Sequence, residues 1–489
     1  MLDKNELATL LPGVDVKIPS EGDDVTKYIS RWSNTRLSLP AAIITPVTET
    51  DIISTIHFTS ARKEENLKVI PTGGGHGTFV PIDSRTLYLD LRNFKSIHLD
   101  EDAETVTFGG GVVSGEVLKY LGERGWYTSV PNSNAVGMVG YVLGGGSSPF
   151  NAVKGLAIDN LIMMRVITAG GVVVKVGPES VGEEADLFRA LCGAGFGFGV
   201  VVQVTLKTWR VENLGMQEDK VWTRKLIFPP TAIRTAAGTF VKIQKPDDRM
   251  VVVLLLMRAP PSAPRPGAPM IMLNASFFGP VTDAEEAAVA LFDESITSQA
   301  IVADTGAVSV SSMNDFSAPL DRHGDFKEFY SAWSPGLSAE TIVTAFDRWL
   351  AFGDATPEAK AASFMVFAAK GTKAMLEHDP ESQKFFPRPL RSRNVFVQAV
   401  PWWTAEKAED SSRTWAAETM ALVNAPQHDR LVEGNGLADR DRLTAHAANL
   451  SKGIDLSTTW ATSQLKEIRR IKGIWDAGNL FWNPIVDGV

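Results

Sequence analysis

The sequence predicts an α+β protein built from two unlike parts. Between Ala41 and about Arg210, short β-branched runs alternate with helix-like segments and glycine turns, a pattern shared by α+β and α/β folds. From about Val211 the runs lengthen into apolar strands with helical stretches between them. That style reads as a second domain, a large antiparallel sheet with helices to one side. A chain of 489 residues has room for roughly two to four domains.

The elements follow in order. Residues 1–40 are mixed and polar and predict a helical start. Ala42–Thr45 is a strand, and the segment Glu49–Glu64, after Pro46, places Ile52, Ile53 and Ile56 at helical spacing. Leu87–Asp90, Thr105–Phe108 and Val172–Val176 are further short strands. Met250–Met257 and Met270–Phe278 are long apolar strands, and the proline-dense Ala259–Pro269 between them predicts an exposed hairpin loop. A helix is expected over Asp283–Ser298 and a strand over Asn394–Val400. Leu465–Ile474 is a basic amphipathic helix stopped by Asp476-Ala477-Gly478-Asn479.

Composition narrows the function. Hydrophobic content of 44% and charged content of 21% are ordinary for a globular protein in water. A net charge of −9 argues against nucleic acid or an anionic membrane as the main partner. A single cysteine, Cys192, forbids an internal disulfide. The N-terminal residues lack the basic start and apolar core of a signal peptide, and no apolar run approaches the ~20 residues of a membrane helix. The expected location is the cytosol, where the sequons at Asn274 and Asn449 stay unused.

The chemistry begins at Val69-Ile70-Pro71-Thr72-Gly73-Gly74-Gly75-His76-Gly77. An apolar run ends in glycines that let the backbone turn sharply and press its N–H groups on a ligand. Successive inward N–H groups form a nest suited to a pyrophosphate. His76 sets an imidazole beside it. A glycine-rich turn with an incidental histidine is the plainer alternative. A second cluster spans Gly137 to Gly146 and a third Gly193 to Gly199. The third mimics a dinucleotide fingerprint but follows a helical segment and precedes a strand, the reverse of that motif. No Walker lysine follows any glycine run, which argues against an ATPase. The remaining histidines, His323, His378 and His446 among them, have no metal-ligand spacing and read as structural or exposed, and no metal site is expected.

Gly73-Gly74-Gly75-His76 resembles the flavin-attachment loop of the berberine bridge enzyme-like branch of the vanillyl-alcohol oxidase family. Three further segments match in order: Gly137-x-x-Gly140-x-x-x-Gly144-Gly145-Gly146 with Gly155-x-x-x-Asp159-Asn160-Leu161; Asp186 to Gly193 with Phe198-Gly199-Val200-Val201; and Ile471-Lys472-x-x-Trp475-Asp476-x-x-Asn479-Leu480-Phe481. The resemblance covers about residues 40–210 and 455–489. It implies a two-lobed PCMH-type FAD-binding domain from both ends of the chain, residues 1–210 and 431–489. Residues 211–430 would be an inserted substrate domain whose antiparallel sheet roofs the flavin ring. The FAD contacts it implies are Thr72, Gly73, Gly74, Gly75, His76, Gly77, Ser133, Val136, Gly137, Gly140, Tyr141, Gly144, Gly199, Val200, Val201 and Phe481, with His76 bonded covalently to the ring.

Departures from the family pattern carry information. Where many members have a second, cysteinyl link, this chain has Ser133, which offers no thiolate, so a single link through His76 is expected. Cys192 reads as a small buried hydrophobe. Val136 stands where a small residue is associated in the family with oxygen reaching the flavin, and so points to an oxidase; a plain core valine is the alternative. The tyrosine pair of many relatives is missing, since no tyrosine follows Tyr330. The asparagine position near the last helix falls on Gln464. Glu433 is the first candidate for a catalytic base, a loop glutamate being its plainer reading, with Tyr330 second. The implied function is oxidation of a small organic molecule, as in fungal members serving secondary metabolism. Hydride passes to FAD and molecular oxygen takes the electrons, and a cyclisation can follow. A redox-neutral cyclase or isomerase and a non-catalytic small-molecule binder stay open as alternatives.

Overall fold

The chain is described from a computed structural model, covering residues 7, 9–378, 384–432 and 443–489, with backbone alone over 426–432. Two sheets build the first part. In the smaller, Ala42–Thr45, Thr86–Asp90 and Lys68–Thr72 run parallel, with Asp15–Lys17 antiparallel at one edge. The helix Glu49–Ser60 makes the crossover. Its start is set by Thr48, whose hydroxyl accepts the Asp51 N–H at 3.2 Å while the Asp51 carboxylate accepts the Thr48 N–H at 2.8 Å. It ends at Ser60, before the expected Glu64, because the chain tightens into the short turn Lys63–Glu65 and leaves it through a left-handed Asn66. The second sheet is antiparallel in the order Ile97–Asp100, Thr105–Gly109, Val200–Lys207, Leu161–Ile167, Val173–Val176. The first part is therefore mixed in one sheet and antiparallel in the other.

The N-terminal segment departs from the helical expectation. Beyond a short helical piece near Leu7 and a 3-10 turn at Val25–Lys27, it is non-helical, with the strand Asp15–Lys17, and Val14, Val16 and Ile18 alternate onto the core under the small sheet. A period of two, hidden among polar residues, made it an edge strand.

The central part is a seven-stranded antiparallel sheet in the order Val302–Ser309, Lys220–Phe228, Pro269–Phe277, Met250–Arg258, Phe364–Lys370, Val395–Val400, Tyr330–Ser334. The hairpin is as expected, with Arg258 opposite Pro269. One face carries Leu226, Val252, Leu254, Leu273, Phe367 and Val397 into a core shared with the helices Ile233–Lys242, Ala339–Ala355 and Glu409–Val432. The intervening residues face the other way. The helix expected over Asp283–Ser298 is broken into Val281–Ala287, a turn Val289–Phe292 and Glu294–Thr297. Asp293 breaks it, since its carboxylate accepts the Ser295 N–H at 2.9 Å and restarts the helix as a cap.

The C-terminal segment returns to the first part. The helix Thr462–Trp475 packs on Gly182–Leu191, and Arg470 pairs with Asp186. Lys472 and Asp476 form an ion pair at 2.5 Å whose side chains are 4% and 0% exposed. Lys472 also donates to the carbonyls of Gly197 at 2.6 Å and Phe481 at 2.8 Å, while Asp476 accepts the N–H groups of Leu480 at 2.7 Å and Phe481 at 2.9 Å. Phe481 then bridges Val69. Among the described residues no helix is long and apolar enough to cross a membrane. Removing the buried counter-charge with Asp476→Ala is expected to cost about 3–5 kcal/mol. Urea unfolding followed by tryptophan fluorescence measures it, and a wild-type midpoint would show the pair to be dispensable.

Candidate functional site

Both parts contribute walls to one cavity of about 970 Å³, at the upper end of the roughly 300–1,000 Å³ of ligand sites. Its floor begins where the strand Lys68–Thr72 runs into the glycine loop. A Cβ on Gly73 would sit 2.6 Å from the Gly110 carbonyl oxygen, and one on Gly74 would sit 2.5 Å from the Gly137 nitrogen. Gly75 has φ +64°. Only glycines allow this approach. Gly73, Gly74, Gly75, His76 and Gly77 all line the cavity, and among the described residues their N–H groups donate to no protein acceptor. Unpaired backbone donors in a concave loop are an anion nest.

Arg31 stands beside the loop. Its guanidinium donates to the Gly77 carbonyl, while its Nη1 is buried and, among the described residues, has no partner. Burial lowers its pKa to about 10, which leaves it charged at neutral pH. It adds the full positive charge that the nest lacks.

His76 rises from the loop onto Trp32, with ring centroids 4.5 Å apart and planes 16° from parallel. Under Trp32 lies the Lys327 ammonium, 4.7 Å from its ring and 4.0 Å from that of Trp402. Lys327 donates to the carbonyls of Arg322 at 2.6 Å and Gly324 at 2.8 Å. Burial, then the nearby His323 and Lys327, hold the His76 pKa down at about 3. The imidazole is neutral, with a nitrogen lone pair available for bonding.

The second glycine segment forms the adjoining wall through Ser133, Val136, Gly137, Gly140 and Tyr141. Ser133 Oγ donates to Asp321 at 2.6 Å, and the Asn134 N–H donates to the other carboxylate oxygen at 3.1 Å. The third cluster is the helix-to-strand turn its sequence context indicates, and Gly199 and Val201 face the cavity. Cys192 is fully buried in the core. Three of the implied contacts are not cavity residues. A Cβ on Gly144 would meet that of Ala448 at 2.6 Å, so this glycine lets the turn at Ala448 pack closely. Val200 points into the opposite core because strand neighbours alternate, which leaves Val201 in the cavity. Phe481 is buried under the small sheet, and the next residue, Trp482, lines the cavity instead.

The roof is the free face of the large sheet, including Val253, Leu255, Met257, Met270, Met272, Val366 and Gln398. The catalytic candidates read from the sequence do not gather there. Tyr330 lies on the helix side of the sheet, where its hydroxyl donates to Glu328 at 3.1 Å and burial raises its pKa. Gln464 caps the last helix, its Oε1 accepting the Ala461 N–H at 3.1 Å. Glu433 lies outside the described residues. His323 and His378 are exposed, as expected, but His446 is not: it is buried and lines the cavity together with Lys370. Arg31, Trp32, Lys327, Lys370 and His446 are the site residues that sequence reading missed. The strand Phe364–Lys370 did offer one signal, a lysine closing an apolar run.

Comparison with known proteins agrees with this geometry. A family model described as an FAD binding domain matches residues 40–177. The FAD-linked oxidoreductase fmqD of Aspergillus fumigatus is 32% identical over 223 residues, which is 44% of this chain and 44% of that protein. The chain thus matches less than half the length of fmqD. The FAD-linked oxidoreductase azaL of Aspergillus niger is 25% identical over 402 residues, 81% of each. Among solved structures, BBE-like 1 of Physcomitrella patens has a TM-score of 0.78 at 17% identity and covers 98% of both chains. At that identity the likeness is one of fold. The chain contains an FAD binding domain, has fungal FAD-linked oxidoreductases as homologues, and shares the fold of berberine bridge enzyme-like proteins.

Two outcomes follow from this geometry. Gly74→Ala is expected to push the loop off Gly137 and abolish flavin uptake, read as the ratio of flavin to protein absorbance; normal uptake would show that the contact yields easily. Burial and Lys370 hold the His446 pKa at about 3 against an ordinary 6.5, so below 6.5 the unfolded chain binds a proton the folded one refuses. Stability is then lost as pH falls through that window. Melting temperature should drop accordingly, and His446→Phe should flatten the slope.

Proposed function

We propose that this homologue of fungal FAD-linked oxidoreductases is an FAD-dependent oxidase of a small, largely apolar organic substrate, its FAD held by one covalent bond from His76. The observation that carries this reading is the Gly73–Gly77 loop: its N–H groups are unpaired and its histidine is neutral, and both line a cavity roofed by the sheet. The loop N–H groups and Arg31 would hold the pyrophosphate. When bound, FAD supplies the hydride acceptor that no side chain can provide. Ser133, already donating to Asp321, has no thiolate for a second bond. Met257, Met270 and Met272 give the roof an adaptable apolar surface that positions a ring-containing substrate and excludes water. Val136 lines the cavity wall, and in this reading its short side chain lets oxygen approach the flavin. The likeness to fungal relatives supports a place in secondary metabolism.

The test is an absorption spectrum before and after acid precipitation. Yellow colour retained in the pellet, and lost from it in His76→Ala, is the expected result. Colour released to the supernatant would remove the covalent bond from this reading, and protein without flavin would remove the oxidase. Val136→Leu is expected to slow reoxidation of the reduced flavin by air about tenfold, a barrier of roughly 1.4 kcal/mol. An unchanged rate in stopped flow would show that Val136 does not control oxygen access.

A further inference from the structure

Lys370 and His446 belong to the cavity but to none of the cofactor contacts above. Lys370 is 6% exposed and His446 is 4% exposed. Lys370 donates to Ser147 Oγ at 2.6 Å and lies 5.0 Å from the Trp333 ring centroid. Among the described residues no carboxylate pairs with it. An ammonium buried without a counter-charge is costly, and burial pulls its pKa down to about 7. Near neutrality it offers an amine lone pair.

His446 is fixed in the complementary state. Its ring packs against those of Trp333, Phe386 and Phe396, with centroids 6.3, 5.8 and 5.8 Å away. Nδ1 accepts the Ala448 N–H at 3.1 Å, so the proton of the neutral ring sits on Nε2. Nε2 is buried and, among the described residues, has no partner. The cavity therefore presents a proton acceptor and an orphaned donor beside the aromatic ring of Phe396.

We propose that Lys370 and His446 form a subsite for a phenolic or enolic hydroxyl of the substrate, in which Lys370 takes the proton and both groups hold the resulting oxygen anion. The hydroxyl O–H bond breaks, its electron pair stays on oxygen, and a new N–H bond forms on Lys370 Nζ. His446 Nε2–H donates to the anion and does not change its own proton count. The reference acidity of a phenol, with pKa about 10, lies within reach of an amine. Of the groups facing Lys370, Ser147 and Trp333 are neutral and His446 is the titratable one. The other charges of the roof, Lys225 and Asp304, stand opposite each other on the two outermost strands at the far edge. The inference rests on the oxidase reading for its consequence: an ionised ring gives up hydride more readily than a neutral one.

The probe is 4-nitrophenol, bound to the flavin-loaded protein at a pH where the free phenol is mostly protonated. The expected difference spectrum shows the phenolate band on binding. Lys370→Met and Lys370→Gln should abolish that band, and His446→Phe should weaken phenolate affinity about tenfold, as loss of one buried hydrogen bond to an anion does. Benzoate, already an anion, separates anion binding from proton transfer. If the wild type binds benzoate but takes 4-nitrophenol only in its neutral form, the proposal is overturned. It is also overturned if the phenolate band survives in the Lys370 variants. Flavin content, read from acid precipitation of the same samples, reports separately on the oxidase reading and on whether each variant has folded.

Discussion

The backbone of Gly74 lying against the backbone of Gly137 is the constraint from which the floor of the cavity follows. Two loops distant in sequence touch there with no side chain between them, and Gly73 repeats the approach against Gly110. The loop is pinned from behind by main chain, and among the described residues its own N–H groups donate to no protein acceptor while all its residues line the cavity. The same pinning sets where His76 emerges. Trp32 then takes the face of the imidazole, and Lys327 supports Trp32 from below. One close contact thus fixes a polar surface, the direction of a reactive ring and the packing that keeps that ring neutral.

The large sheet divides two kinds of chemistry by parity alone. On the strand Met250–Arg258, Val252, Leu254 and Leu256 enter the helix-covered core, while Val251, Val253, Leu255 and Met257 face the cavity. The first set stabilises the fold and the second shapes the ligand space, so the two are free to vary separately. Lys370 closes the neighbouring strand on the cavity face. There a polar head enters the site without breaking the core behind it.

Much that is local in sequence was readable in advance, although the Asp293 cap that breaks the helix expected over 283–298 was not. The glycine loop, the hairpin around the proline run, the helix that follows Pro46 and the reversed context of the third glycine cluster all depend on neighbours within a few residues. Polar residues whose meaning comes from distant partners were not readable. Arg31 gains its role from a loop 46 residues away. His446 is defined by Ala448 on one side and by three aromatic rings brought from three other segments. Tyr330 shows the opposite error: its residue type suited catalysis, but its register opposite Ala399 puts it on the helix side. Gly144 was taken as a ligand contact when its missing side chain serves Ala448.

The joining of the chain's last segment to its first governs when the site can exist. Lys68 donates to the carbonyl of Asn479 across 411 residues, and Lys472 and Asp476 hold Phe481 beside Val69. A chain emerging from the ribosome therefore has its glycine loop long before Trp482, the cavity residue furthest from that loop in sequence. Contacts this remote form slowly, and the central sheet has to fold in between and bring its own two ends together. Until Trp482 has emerged and folded back, the cradle has one side missing and cannot close around a cofactor.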